Sequence, residues 1–195
     1  MVSRKTRKVK RKVKRKTKRK TYIKKDYNSN DGMLTSVWGP PAWHFLHTIS
    51  FNYPTKPTKQ DKINYQKFIY NLQCVLPCGH CRENFKKNIK ALPLTMKDLK
   101  GRHHFSLWVY KLHEKVNKML GKKSGLTFKD VRERYEHFRS RCTQEKKKTL
   151  KKHKKEKGCT RPLYGKKSKC VLKIIPYDTK TKSIHIDRRC IKTRS

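Results

Sequence analysis

Acidic side chains are scarce in this sequence: 13 Asp and Glu stand against 55 Lys and Arg in 195 residues, a formal net charge of +42. Long apolar runs are missing too. Nothing approaches the ~20 apolar residues of a membrane span, and no apolar stretch follows the basic N-terminus as it would in a secretory leader. Without that leader, seven cysteines do not read as an ordinary disulfide-stapled secreted domain, and metal or redox work is the better expectation for the thiols. No repeat of fixed period appears, and no convincing strand pattern precedes residue 160. What is abundant is unevenly spread. Residues 1–25 hold 15 basic and no acidic side chains, residues 142–195 hold 19 and 4, and the 116 residues between hold 21 and 9. Thus +30 of the charge lies outside the middle segment, which carries all three tryptophans, Trp38, Trp43 and Trp108. A run such as Arg4 to Lys20 has almost nothing to bury and repels itself, so disorder is expected there. The expected organisation is a basic arm (1–31), a folded domain (32–142) and a basic cysteine-containing tail (143–195).

The middle segment reads as helices. Pro40 and Pro41 stand before an apolar-periodic run, where the missing N–H of a first turn costs nothing. Trp43, Leu46, His47, Ser50 and Tyr53 follow at helical spacing until Pro54. A second helix is predicted from Thr58 as N-cap, with Ile63, Phe68, Ile69 and Leu72 on one stripe, ending before Pro77. A third opens at Cys78 and uses Phe85 and Ile89. A fourth spans about 103–120, with Phe105, Trp108, Val109, Leu112, Val116 and Leu120 in phase and Gly121 as the C′ residue. A short fifth starts at Thr127, with Asp130 three residues on, and presents Phe128, Val131, Tyr135 and Phe138. The fold class is all-α, a helical bundle. In the tail, Val171–Ile175 and Ser183–Ile186 flank Asp178-Thr179-Lys180 and suggest a small hairpin.

Chemistry concentrates in Cys78-Gly79-His80-Cys81. Two thiols at i and i+3 on the first turn of a helix meet unpaired backbone N–H groups and the positive dipole end, both of which favour thiolate. The spacing also lets the sulfurs close a small disulfide ring. Three other readings compete. A thioredoxin-like site needs a strand before the motif and a βαβ frame, and neither is present. Zinc has candidate ligands in Cys74, Cys78, His80, Cys81 and the His103-His104 pair, yet no second CxxC or HxxxH completes a set. A bland pair of buried cysteines fits poorly at a helix start between Pro77 and Arg82. A redox dithiol is preferred to zinc, and no metal is assigned. In an all-α frame such a dithiol needs an electron acceptor held between facing helices. His47, one turn after Trp43, and His113, one turn before Asn117, sit on otherwise apolar stripes. Singly, each is better read as a satisfied polar group. Together, with a CxxC between them, they suggest a site.

The motifs Trp43-x3-His47-Thr48, Tyr53-Pro54, Cys78-x2-Cys81, Trp108-x4-His113-x2-Val116-Asn117 and Leu120-Gly121-Lys122 occur in the order found in the Erv/ALR family of FAD-dependent sulfhydryl oxidases. Val131-x-Glu133-Arg134-Tyr135 resembles that family's closing segment, with Tyr where an adenine-stacking Trp is common. The resemblance covers about residues 35–142, and Cys-Gly-His-Cys with the Lys/Asn/Ile-heavy composition is most similar to the branch encoded by large DNA viruses. It departs where the His-Asn-x-Val-Asn motif reads His113-Glu114-Lys115-Val116-Asn117. It departs again in having no cysteine in 82–141 to tie down the fifth helix, and no distal CxxC shuttle.

The resemblance implies a four-helix bundle plus a short fifth helix, non-covalent FAD and a homodimer. It implies oxidation of protein dithiols to disulfides, with O2 as acceptor and H2O2 as product. By the same resemblance Cys78 and Cys81 are catalytic. Gly39, Trp43, His47, His113, Val116, Asn117, Lys122, Arg134 and Tyr135 are the cofactor-binding set: Trp43, His47, His113 and Asn117 against the ring surfaces, Lys122 and Arg134 on phosphate or ribose, Tyr135 on the adenine. The alternative from another class is a basic nucleic-acid-binding protein with a small zinc site, since arms this basic bind polyanions unselectively. Non-specific nucleic-acid affinity is expected as an addition to the oxidase. The location expected for a viral member is the host cytoplasm or the virion, with the nucleus open to it through the basic runs. The tail cysteines Cys142, Cys159, Cys170 and Cys190 are read either as a structural pair with spare thiols or as the missing shuttle.

Overall fold

The computed structural model describes residues 23–140, 159–160, 162–163, 166–181 and 185–190. The chain divides into two compact units, Met1–Asp31 and Gly32–Ser195. In the first, the described part is a single helical turn, α1 (Lys24–Tyr27), whose entry is closed by the Ile23 N–H donating to Asp26 Oδ2 at 3.0 Å. The expected disorder of the arm falls mainly on residues 1–22, outside the described ones.

The second unit is built of α2 (Thr35–Asn52), α3 (Lys59–Val75), α4 (Gly79–Ala91), α5 (Arg102–Met119) and α6 (Phe128–Glu136). Among the described residues there is no β-strand, and the all-α class holds. Four long helices form the bundle. α2 packs on α5, α3 on α4, α4 on α5, and the short α6 lies against both α2 and α5.

Local chemistry explains most boundaries. At α3 and α6 a Thr N-cap and an Asp three residues on satisfy each other: Thr58 Oγ1 accepts the Asp61 N–H at 3.1 Å and Asp61 Oδ2 accepts the Thr58 N–H at 2.8 Å. Thr127 and Asp130 repeat the pattern at 3.3 and 2.8 Å. α5 ends in a Schellman motif: Gly121 N–H donates to Lys118 O and Lys122 N–H to Asn117 O, with Gly121 at φ +66°, a conformation other L-residues rarely take.

One boundary differs from expectation. α2 starts at Thr35, not beside the prolines, so Pro40 and Pro41 lie inside the helix. They remove the N–H groups that would have met Ser36 and Val37 carbonyls. The turn is held instead by the Leu34 carbonyl, which accepts Val37 N–H at 2.9 Å and Trp38 N–H at 3.3 Å, and by the Trp38 indole donating to Met33 O at 3.1 Å. At the other end of α2, two guanidinium groups meet carbonyls that the helix leaves unpaired: Arg139 donates to Phe51 O at 2.6 Å and Arg102 to Tyr53 O at 2.7 Å.

The main core joins Leu46, Tyr53, Ile69, Phe85, Ile89, Leu94, Leu99, Phe105, Trp108, Val109 and Leu112. A smaller cluster of Phe51, Val131 and Tyr135 seats α6. Packing by Phe128, Val131 and Phe138 is therefore not the whole anchorage of that helix. Tyr135 stacks on Phe51, Arg139 bridges to α2 and to Glu136, and Leu163 N–H donates to Arg139 O at 2.7 Å beside an antiparallel bridge between Ser140 and Pro162. Phe138 is 38% exposed and meets His44 and Tyr135 edge-on.

Of the predicted tail hairpin, only the first strand and the turn lie wholly among the described residues. A turn is present, with Thr179 N–H donating to Pro176 O, but residues 171–176 form no strand. Val171, Leu172 and Ile174 are exposed, so nothing covers a face that would reward pairing. Ser183 and Ile184, in the predicted partner strand, lie outside the described residues.

Candidate active site

Cys78 and Cys81 are joined in a disulfide, with Cα atoms 5.1 Å apart. Cys78 is the N-cap of α4 in extended conformation, and its Sγ accepts the Cys81 N–H at 3.2 Å. Both residues are half-buried. The backbone that leads into the motif is clamped. Arg82 reaches back to Leu76 O at 2.7 Å, Met33 N–H donates to Pro77 O at 2.8 Å, and Gly32 lies so close that a Cβ there would meet the Cys78 Cα at 3.0 Å and Pro77 O at 3.1 Å. Among the described residues no group of three or more His, Cys, Asp or Glu side chains is placed to hold a metal ion.

A second assembly of polar and aromatic groups forms where α2, α5 and α6 meet. Trp43 and His113 stack at 4.0 Å between centroids with 5° between planes. His47 is buried and its Nε2 lies 3.0 Å from His113 Nδ1. Tyr135 stacks on His47 at 5.1 Å and on Phe51 at 5.4 Å, and its hydroxyl is 3.2 Å from His44 Nδ1. Burial, with the neighbouring His113 and His44, lowers the His47 pKa to about 3. Burial likewise lowers His113 to about 4, opposed by Glu114 and reinforced by Lys122. Burial raises Tyr135 to about 12. At neutral pH the cluster carries no charge.

One imidazole of the His47–His113 pair must donate and the other accept. His47 Nδ1 is buried without a partner. If Nε2 donates, that orphan is a bare lone pair; if it accepts, the orphan is an N–H, the rarer and costlier case. The pair is therefore assigned as His47 Nε2–H donating to His113 Nδ1, which leaves His113 Nε2 as a donor.

Of the expected site residues, the fold brings Trp43, His47, His113 and Tyr135 into one cluster. Val116 and Asn117 continue the α5 stripe, half-buried, with the Asn117 amide turned to Glu114 at 3.0 Å. Lys122 follows the Schellman turn, exposed, yet its charge is felt at His113. Arg134 is half-buried next to Tyr135 and opposes the upward shift of its hydroxyl. Gly39 is buried in α2, where a Cβ would meet only Thr35 Cγ2 at 3.6 Å, so sterics alone do not demand glycine. Sequence reasoning passed over His44, which sits one residue after Trp43 and could have been found at i−3 from His47. It also missed Thr35, whose hydroxyl lies 3.7 Å from Cys81 Sγ and which no periodicity marks.

An FAD site makes two demands that these residues meet. Flat heteroaromatic rings need stacking faces, and Trp43 and His113, both half-buried, keep surface to supply them, whereas Tyr135 is buried against His47 and Phe51. Their polar edges need uncharged donors and acceptors in a dry place, and the neutral histidine pair, with His47 Nδ1 unpartnered, supplies those.

A disulfide at a helix start and a neutral aromatic and histidine cluster thus occur in one all-α unit. The profile of the Erv1 / Alr family matches residues 40–139, and the chain belongs to that family. It is 37% identical over 104 residues to an Acanthamoeba polyphaga mimivirus protein named "Probable FAD-linked sulfhydryl oxidase", covering 53% of this chain and 72% of that one. An FAD-linked sulfhydryl oxidase of African swine fever virus (isolate Pig/Kenya/KEN-50/1950) is 33% identical over 44% of this chain and 70% of its own length. With the FAD-linked sulfhydryl oxidase ERV1 of Arabidopsis thaliana the identity is 34%, over 43% of this chain and 42% of the plant protein. The chain thus spans most of its viral relatives and less than half of the plant one.

Proposed function

We propose that Cys78–Cys81 is the working disulfide of an FAD-dependent thiol oxidase, and that residues 32–142 are its catalytic domain. The chain is an FAD-linked sulfhydryl oxidase by family membership and by its relatives in large DNA viruses. The observation that carries the site assignment is the placement of Cys78 as N-cap of α4, with its sulfur accepting the Cys81 N–H.

A substrate thiolate attacks Cys78 Sγ. The Cys78–Cys81 bond breaks, a substrate–Cys78 disulfide forms, and the electron pair leaves on Cys81 Sγ as thiolate. The second substrate thiolate resolves the mixed disulfide and releases Cys78. The positive end of α4 favours both thiolates. Trp43, His47, His113 and Tyr135 would hold the FAD rings, with Asn117, Val116 and Gly39 on the same helices, and Lys122 and Arg134 would hold its phosphates or ribose. When bound, FAD supplies the two-electron acceptor through which the Cys78–Cys81 disulfide is restored. The net reaction is a protein dithiol plus O2 giving a disulfide plus H2O2, carried out by a homodimer. Among the described residues no helix is long and apolar enough to cross a membrane. The basic arms add salt-sensitive affinity for polyanions, and the host cytoplasm, the virion and the nucleus are all compatible with these features.

Oxygen consumption with a small dithiol, on wild type and on Cys81→Ser, tests the reading. Turnover in wild type and none in the variant, both yellow and both releasing flavin on denaturation, is expected. A colourless wild type, or undiminished turnover in Cys81→Ser, would refute it.

A further inference from the structure

We infer that Thr35 is a positioning residue of the dithiol, its hydroxyl donating a hydrogen bond to Cys81 Sγ and holding that sulfur as thiolate once the disulfide opens. This rests on the proposed role of Cys78–Cys81. The Thr35 Oγ1 to Cys81 Sγ distance is 3.7 Å, across 46 residues of sequence. A disulfide sulfur carries no proton, so in this state the hydroxyl must be the donor.

The backbone does not serve Cys81 the way it serves Cys78. The Cys81 N–H is committed to Cys78 Sγ at 3.2 Å, so each sulfur of the pair has a different donor: a main-chain amide for Cys78, the Thr35 hydroxyl for Cys81. The hydroxyl is not engaged as a helix cap either. The N-cap of α2 is Leu34, and Thr35 stands one residue inside.

Its position is fixed from three sides. Gly32 lies against the Cys78 backbone with no room for a Cβ, Met33 N–H is bonded to Pro77 O at 2.8 Å, and the Trp38 indole is bonded to Met33 O at 3.1 Å. Residues 32–38 therefore form a strap across the entry to α4 with Thr35 in its middle. Attack on Cys78 by a substrate thiolate breaks the S–S bond and sends its electron pair to Cys81 Sγ. There the existing O–H···S contact becomes a charge-assisted one, which shortens and strengthens it. A lower Cys81 pKa makes it a better leaving group in that step.

The test uses the full-length, FAD-loaded chain. In a Cys78→Ser background, the pH profile of Cys81 alkylation by iodoacetamide, followed by peptide mass spectrometry to separate it from Cys74, Cys170 and Cys190, gives the Cys81 pKa. Thr35→Val keeps the branched shape and removes the donor. It is expected to raise that pKa by about one unit, a roughly tenfold loss of thiolate at a pH below it, and Thr35→Ser is expected to restore it. With both cysteines present, Thr35→Val should slow the attack of a small dithiol on the Cys78–Cys81 disulfide, with thermal melting unchanged. Superimposable alkylation profiles for wild type, Thr35→Val and Thr35→Ser would overturn the inference. So would a shift that Thr35→Ser fails to reverse, which would mark Thr35 as structural only. Because alkylation does not depend on turnover, failure of the oxidase reading itself, seen as undiminished turnover in Cys81→Ser, is a separate outcome.

Discussion

The neutral histidine pair makes the stability of this protein depend on acid in a calculable way. His47 takes up a proton near pH 3 and His113 near pH 4 in the folded protein, against about 6.5 in the unfolded chain. Between those limits the unfolded state binds more protons, so stability falls as pH falls. Each histidine costs up to about 1.4 kcal/mol per pH unit below 6.5. From pH 7 to pH 5.5 that is roughly 1.2 kcal/mol apiece, about 2.5 kcal/mol for the pair. For a domain of this size the loss is on the order of 10 °C in melting temperature. His113→Gln, which keeps an acceptor for His47 and does not titrate, should halve the drop, and the His47→Gln/His113→Gln double variant should nearly abolish it. Thermal melts at the two pH values, with FAD at one fixed saturating concentration, measure the difference directly. If wild type and double variant lose the same stability between pH 7 and pH 5.5, the two rings are not buried as neutral partners and the tautomer assignment falls with them.

Cys78→Ser and Cys81→Ser should each abolish disulfide-forming turnover while retaining flavin, checked by oxygen uptake and the visible spectrum. Tyr135→Phe, which deletes the hydroxyl facing His44 Nδ1 and spares the stacking on Phe51 and His47, should cost about 1 kcal/mol in urea unfolding. Arg139→Ala leaves the Phe51 carbonyl without its guanidinium and Glu136 without its ion pair. It should cost about 1–2 kcal/mol, with a larger effect on α6 than on the main core in amide exchange. Removal of FAD should lower the melting temperature, because a ligand that binds only the folded state stabilises it by mass action; equal melting of apo and flavin-loaded protein would contradict a site built from α2, α5 and α6.

The fold was legible wherever a local rule operates alone. The Thr58/Asp61 and Thr127/Asp130 caps, the Gly121 turn and the apolar phase of Phe105, Trp108, Val109 and Leu112 each depend on neighbours within a turn or two, and each stands where the sequence places it. The start of α2 was misplaced because the proline rule is about cost, not position. Helix can begin earlier if the orphaned groups find other partners, and Leu34 O and the Trp38 indole are such partners, invisible to any local pattern. In the tail, Val171, Leu172 and Ile174 supply strand propensity, but they are exposed and residues 171–176 form no strand, since propensity without a surface to bury it does not make a ladder.

The site divides along the same line. His47 and His113 could be picked out because each interrupts an apolar stripe, and their proximity follows once α2 packs on α5. Their protonation could not be read that way, since it comes from burial and from each other's charge, both tertiary facts. The tail cysteines show how far pairing lies from sequence. Cys159 is disulfide-bonded, while Cys170 and Cys190 are free thiols, a division no spacing rule foretold; Cys142 lies outside the described residues. The 11 and 20 residues that separate Cys159, Cys170 and Cys190 leave Cys170 and Cys190 on a segment without strand or long helix among the described residues. Thr35 is the furthest from legibility. A threonine at the first position of a helix, four residues before Gly39 and five before Pro40, has no signature at all. Its meaning comes from Gly32 and Met33, which tie the start of α2 to the backbone ahead of Cys78 and so set a hydroxyl beside a sulfur 46 residues away.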